Sequence, residues 1–233
     1  MLPILLLGVN FARSQLLLLG IVLAYVACLA GFLAFHEQLP DLIFFVRQQA
    51  IYGIALAAMV TVPAIQNERK SRRVLSVLSK GIHRWQYLGG LLCGVILVTA
   101  VFCLAVSVAA VWLAHQASAP VTGLAELMLM LFPACAAAAA TALFCSAILH
   151  PLLALPAAAF ILLFPLVTEA GGLNVPLYFF PVFAAMRAVL AFKFQRPESG
   201  LLSIAVAAMI HVAVFWGAAS VVFLRRDVTV ASE

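Results

Sequence analysis

The sequence predicts an all-α membrane protein with six transmembrane helices and both termini in the cytoplasm. Of its 233 residues, 67% are hydrophobic and only 9% are charged, which excludes an ordinary soluble domain. Apolar runs of about 20 residues recur, and each is long enough to cross a hydrocarbon core of about 30 Å. Lys and Arg residues are concentrated in one loop and after the last apolar run, and such clusters normally face the cytoplasm.

The chain is predicted to be a single transmembrane domain over residues 1–233. A short interfacial helix at about Pro3–Phe11 comes first, because the N-terminal apolar stretch lacks the basic segment that begins a cleaved signal peptide. The acidic turn that contains Glu37 and Asp41 has no Lys or Arg, which suits the outer side of the membrane. The six predicted spans are about Gln15–Phe35, Leu42–Ala64, Leu88–His115, Leu124–Leu149, Leu152–Val167 and Leu201–Leu224.

Two of the later spans carry further signals. The small-residue run ACAAAAATA at 134–142 lets helix backbones approach closely. Pro151 suits a first helical position after a tight cytoplasmic turn. Pro156 and Pro165 predict a kink in the fifth span.

The apolar segment Pro176–Phe194 is long enough to be a seventh span. A crossing there would place Arg187 in hydrocarbon, at a cost of about 2.5–3.5 kcal/mol or more. It would also move Arg225 and Arg226 to the outer side, against the positive-inside bias. We therefore predict one or two helices that dip into the outer leaflet and return.

The basic segment Gln66–Tyr87 separates the second and third spans. It holds six of the thirteen Lys and Arg residues of the chain and a single acid. Its apolar residues recur at three- and four-residue steps, as on one face of a helix, with a break at Gly81. Two interpretations follow from this pattern: a basic anchor lying on anionic headgroups, or a docking helix for a soluble partner. The charge marks membrane orientation and does not indicate nucleic-acid binding.

The same segment resembles the cytoplasmic coupling loop of ABC-2 type (type V) transporter permeases. Glu68 and Arg69 match an acidic-basic pair of that family, Leu75 and Leu78 match its Leu-rich helix, and Ile82–Leu88 (IHRWQYL) matches the segment entering the third span. The Gly-Thr that usually follows the pair is missing, and Gly90 stands where a Lys is common. The residues that the resemblance assigns to ATPase coupling are Glu68, Arg69, Arg72, Arg73, Leu75, Leu78, Ile82, His83, Arg84 and Trp85.

The resemblance implies a complex of two permease copies and two ATPase subunits in a bacterial inner (cytoplasmic) membrane, in contact with membrane lipid. No G-x-x-x-x-G-K-[ST] loop occurs in the sequence, so ATP and Mg²⁺ would be bound by the partner ATPase. The second copy would be identical or a paralogue. The permease itself would need no cofactor.

Arg47, Gln48 and Gln49 are polar residues within the second predicted span. They are candidates for lining a substrate path between two permease copies, because polar groups at that depth need partners or a wet cavity. The alternatives are an ion pair of Arg47 with Glu126 or Glu169, or snorkelling to the headgroups. His211 is interpreted as a hydrogen-bonded packing residue of the last span.

Neither a catalytic residue nor a metal site is predicted. The five cysteines lie in apolar runs without a C-x-x-C pair, which indicates free buried thiols. Ser146 and His150 share a helix face, but such a short match does not define an active site. The expected function is export or extrusion of a substrate. The alternatives are a permease-like subunit that passes ATPase work to an extracytoplasmic partner, and a membrane anchor that recruits a soluble protein through the basic loop.

Overall fold

The computed structural model describes residues 2–35, 39–70, 83–119, 121–170 and 201–225. Within these ranges the chain forms seven α-helices and no β-strand. They are α1 Leu2–Ser14, α2 Leu16–Ala34, α3 Leu39–Lys70, α4 Arg84–Gln116, α5 Val121–Ile148, α6 Pro151–Ala170 and α7 Leu201–Arg225.

Five of these helices contain segments that are long and apolar enough to cross a membrane. These segments are Leu16–Ala34, Leu39–Ile65, Trp85–Gln116, Leu124–Ile148 and Leu202–Phe223. Each of them falls on a predicted span. The described part of the chain is therefore an all-helical, multi-pass membrane protein.

The predicted fifth span lies within α6. This helix has 20 residues and is about 30 Å long at 1.5 Å per residue. The apolar part whose side chains are described, Leu152–Leu163, is shorter than a full crossing. Pro151 begins the helix as expected, and the His150 carbonyl accepts the N–H groups of Leu153 and Ala154. A sixth crossing stays a prediction, and Pro176–Phe194 lies outside the described residues.

Helix α5 is the centre of the bundle, with α3, α4, α6 and α7 packed around it. The predicted close approach of backbones at its alanine run is confirmed, because Ala137–Ala140 are completely buried. Gly53 of α3 also lies close to the neighbouring helices. A methyl group there would lie 2.8 Å from Phe102 Cε1 of α4 and 3.1 Å from Cys135 Sγ of α5.

Helix α1 packs on the first half of α4. A Cβ atom on Gly94 would lie 2.7 Å from Phe11 Cδ1 and 2.8 Å from the Gly8 carbonyl oxygen. The opposite face of α1 exposes Leu5 and Leu6. The predicted N-terminal helix is therefore present and is apolar on both faces. Its location at the membrane interface stays a prediction.

The long helices α3 and α4 extend into the predicted coupling loop from both sides. Residues 66–70 continue α3 without a break, because no Gly or Pro interrupts them. At the other end, His83 precedes the first residue of α4 and donates its backbone N–H to Gln86 Oε1 at 3.1 Å. This bond satisfies a backbone donor at the helix start, as in one half of a capping box. Residues 71–82 lie outside the described ranges.

Candidate functional site

A polar cluster joins α2 and α3 on the outside of the bundle. Gln48 Nε2 lies 2.9 Å from Tyr25 Oη and 3.0 Å from Tyr52 Oη. The two phenol rings are 5.8 Å apart between centroids and are inclined at 56°. Gln48 and Tyr52 are four residues apart on α3 and therefore share a helix face, which places both beside Tyr25 of α2. We call Tyr25, Gln48 and Tyr52 the tyrosine cluster.

The tyrosine cluster is exposed at mid-height of the bundle. Tyr25 is the middle residue of α2, and Gln48 lies about 14 Å along α3 from its first residue. Tyr25 and Tyr52 are 39% and 43% exposed. Both helices belong to segments that are long and apolar enough to cross a membrane.

Arg47 is also exposed on this side of α3. At 100° per residue, Phe44 and Ile51 lie between Arg47 and Gln48 on the helix surface, and both are exposed. Among the described residues, no carboxylate forms an ion pair with Arg47, and the Glu169 side chain lies outside them. The exposed surface of α3 near α2 thus combines a cation, an amide and a phenol with two large apolar side chains.

Gln49 points in the opposite direction, into the bundle. It is completely buried, and neither its Nε2 nor its Oε1 has a hydrogen-bond partner among the described residues. A buried amide without partners is unfavourable by roughly 1–3 kcal/mol. The three predicted path residues are therefore separated: Arg47 and Gln48 lie on the outer face, and Gln49 lies in the interior. Their role in transport stays a prediction.

The predicted coupling residues fall into two groups. Arg72, Arg73, Leu75, Leu78 and Ile82 lie outside the described residues. Glu68 and Arg69 belong to the last turns of α3, His83 precedes α4, and Arg84 and Trp85 are its first two residues.

Trp85 links this region to the last helix. Its ring meets that of Trp216 of α7 edge to face, with centroids 6.0 Å apart and an angle of 70° between the planes. Trp85 nevertheless stays 40% exposed. The Trp216 ring also lies against Gly89, one turn further along α4. Trp85 therefore has both an intramolecular partner and a free surface.

His211 of α7 is bound to α5. Its Nε2 lies 2.8 Å from Thr141 Oγ1, and its ring stacks on Phe215 with centroids 4.3 Å apart. Thr141 Oγ1 also donates to the Ala137 carbonyl at 3.0 Å. His211 is 8% exposed, so the predicted hydrogen-bonded packing role is confirmed.

The other candidate side chains have local partners. Ser146 Oγ donates to the Leu143 carbonyl at 2.9 Å. All five cysteines are free thiols, but the prediction that all are buried is wrong, because Cys28 is exposed and Cys93 is only partly buried. Cys103 and Cys135 are 4.0 Å apart between sulfur atoms. In the described ranges, no three His, Cys, Asp or Glu side chains are grouped as metal ligands.

Sequence reasoning missed Tyr25, Tyr52 and Trp216. Tyr52 had a local signal, because it is four residues after Gln48 within an apolar helix. Tyr25 and Trp216 had none, since their contacts join residues that are distant in the chain. No protein-family model matches the chain, and no curated protein matches it significantly.

Proposed function

We propose that the chain is the transmembrane permease subunit of an ABC-2 type exporter, driven by ATP hydrolysis in a separate subunit. The observation that carries this proposal is the continuation of α3 beyond its membrane segment. The apolar segment ends at Ile65, but the helix runs on to Lys70, so Glu68 and Arg69 stand on a helical extension of a spanning segment. A continuous helix can transmit a movement of a docked partner into the bundle.

The start of α4 supports the same proposal. Trp85 is exposed at the beginning of a 33-residue helix and also contacts Trp216. A partner bound near Trp85 would therefore act on both α4 and α7. Few residues dominate a docking surface, and Trp is among the commonest of them.

In the proposed arrangement six helices cross a bacterial cytoplasmic membrane, with both termini and the basic segment inside. The segment Pro176–Phe194 dips into the outer leaflet. A second copy, identical or paralogous, completes the transport path, and Arg47 and Gln48 on the exposed face of α3 contribute to it. ATP and Mg²⁺ are bound by two ATPase subunits.

The test is co-purification of the permease with the ATPase encoded nearest to it in the genome. Trp85→Ala and Leu78→Asp are expected to weaken that association about 30-fold or more, since anchor residues carry about 2 kcal/mol or more. The variant Arg72→Ala with Arg73→Ala serves as the matched comparison. If no ATPase co-purifies, and substitution of the arginine pair disturbs the loop's attachment to the membrane more than Trp85→Ala does, the loop is a headgroup anchor. The proposal is then wrong.

A further inference from the structure

We propose that the tyrosine cluster and Arg47 form a binding site for the anionic head group of an amphiphile that enters from the lipid. The inference rests on the proposed function in one respect: the bound amphiphile is the exported substrate. The site lies on the exposed side of α2 and α3, and Tyr25, Gln48 and Tyr52 are joined by hydrogen bonds within one chain.

The hydrogen-bond inventory of the cluster leaves donors unused. In the observed orientation the Gln48 amide donates to both phenol oxygens, so the two O–H groups still need acceptors. Turning the amide over makes its oxygen the acceptor for both hydroxyls and leaves its two N–H groups unused instead. A bond between the hydroxyls would satisfy only one donor. In the observed orientation the two phenol O–H groups therefore lack acceptors, and the buried Gln48 Oε1 has no partner among the described residues.

The surroundings of the cluster do not supply the missing acceptors. Tyr25 and Tyr52 are exposed at mid-height, where acyl chains offer no hydrogen-bond partners. Leaving a polar group unpaired in such a medium is unfavourable. An occupant that brings acceptor oxygens to this depth is therefore favoured.

Arg47 determines the charge of that occupant. It is exposed on the same side of α3, and no described carboxylate pairs with it. A guanidinium group binds carboxylate and phosphate in a bidentate manner, and these groups are also the strongest acceptors for phenol O–H donors. An anionic head group satisfies both Arg47 and the tyrosine cluster.

The apolar residues of the face determine the rest of the ligand. Phe44 and Ile51 lie between Arg47 and Gln48 and are 54% and 46% exposed. With the phenol rings they offer an apolar surface to a hydrocarbon tail.

The experiment uses the full chain in phosphatidylcholine nanodiscs and four ligands with the same oleoyl tail. Radiolabelled oleate and lysophosphatidate carry the two anionic groups, monoolein is neutral, and oleylamine is cationic. Both anions are expected to bind at least about tenfold more tightly than monoolein, because hydrogen bonds to charged groups are worth about 1.5–3 kcal/mol. If lysophosphatidate binds more tightly than oleate, the site selects a phosphate head group. If oleate binds more tightly, the site selects a carboxylate.

Variants locate the site. Arg47→Gln is expected to abolish the preference for anions, and Arg47→Lys to retain part of it. Tyr25→Phe combined with Tyr52→Phe is expected to weaken anion binding about tenfold. Arg13→Gln and Tyr87→Phe are the matched controls, because Arg13 is exposed at the end of α1 and Tyr87 is buried in α4. Thermal unfolding of each variant separates a lost site from a lost fold.

Three results would overturn the inference: equal binding of all four ligands, an anion preference that survives Arg47→Gln, or a loss that the controls share. If the tyrosine substitutions instead convert a dimer to a monomer without changing oleate binding, the face contacts a second copy and the inference is also wrong. Failure of this inference can be distinguished from failure of the proposed function. If an ATPase co-purifies but anions do not bind preferentially, the proposed permease function stands and the anion site is wrong. If anions bind but no ATPase co-purifies, the anion site stands and the proposed function is wrong.

Discussion

Trp85 of α4 and Trp216 of α7 meet edge to face, with their ring centroids 6.0 Å apart. The contact joins the first turn of a 33-residue helix to the last described helix of the chain. Helix α7 otherwise packs mainly on α5. The tryptophan pair is therefore a direct connection between the end of the basic segment and α7.

The first prediction concerns the strength of this connection. Trp85→Leu and Trp216→Leu should each destabilise the protein. The double variant should lose less stability than the sum of the two single losses. The coupling energy should be about 0.5–1.5 kcal/mol, as for other edge-to-face aromatic pairs. It is obtained from a double-mutant cycle of unfolding free energies in detergent. The control is Trp112→Leu, since Trp112 is 45% exposed near the other end of α4; coupling between Trp112 and Trp216 would contradict the assignment.

The second prediction concerns the contact between α1 and α4. Gly94→Ala should destabilise the protein by about 1–3 kcal/mol, the usual range for overpacking. The added methyl group would lie 2.8 Å from the Gly8 carbonyl oxygen, a backbone atom that no side-chain rotation can remove. Helix α1 would have to shift. The measurement is the thermal unfolding midpoint of the purified protein.

Gly31→Ala is the matched control for Gly94→Ala. Gly31 lies in α2, and a methyl group there meets nothing within 4 Å. Alanine has a higher helix propensity than glycine by about 1 kcal/mol, so this substitution should be neutral or stabilising. Destabilisation of both variants to the same extent would show that α1 does not pack as described.

The helices could be predicted from sequence because hydropathy is a property of single residues. The predicted span Gln15–Phe35 agrees with α2 to within one residue at each end. The end of α3 could not be predicted in the same way. Hydropathy marks where the apolar segment stops, near Ala64, whereas the helix continues through Pro63 and ends only at Lys70.

Whether each site residue faces the interior or the surface of the bundle was harder to predict. A spanning helix is apolar on nearly every face, so its pattern does not distinguish inside from outside. Arg47 and Gln49 were therefore grouped together, although one is exposed and the other is completely buried. The bond between Gln48 and Tyr25 joins residues 23 positions apart. Such a contact depends on how α2 and α3 pack, which local sequence does not specify.

The third prediction concerns topology. Single cysteines introduced at Ser76 and at Ser199 of a cysteine-free variant should differ in labelling by an impermeant thiol reagent on intact cells. Ser199 should react and Ser76 should not, because six crossings place them on opposite sides of the membrane. Permeabilised cells provide the control, since both positions should then react. Labelling of Ser76 on intact cells would refute the cytoplasmic position of the basic segment.

The fourth prediction concerns the hydrogen bond between α5 and α7. Thr141 has one hydroxyl hydrogen, and its oxygen lies 3.0 Å from the Ala137 carbonyl and 2.8 Å from His211 Nε2. If the hydrogen is donated to the carbonyl, His211 must supply the hydrogen of the second bond, so its Nε2 is expected to be protonated. Nitrogen NMR of selectively labelled histidine should show this tautomer, and Thr141→Val should change the signal.

The stability of variants at His211 tests the same bond by another route. His211→Gln keeps an N–H donor near the position of Nε2, whereas His211→Leu leaves none. Because the glutamine can still donate a hydrogen bond to Thr141, this variant should lose less stability than the leucine variant. The coupling energy between Thr141→Val and His211→Leu should be about 0.6 kcal/mol and no more than about 1.7 kcal/mol, the range found for polar contacts between membrane helices. Both variants disturb the stacking on Phe215, and the cycle with Thr141→Val separates that loss from the hydrogen bond. A coupling energy of zero would show that the contact is close packing without a hydrogen bond.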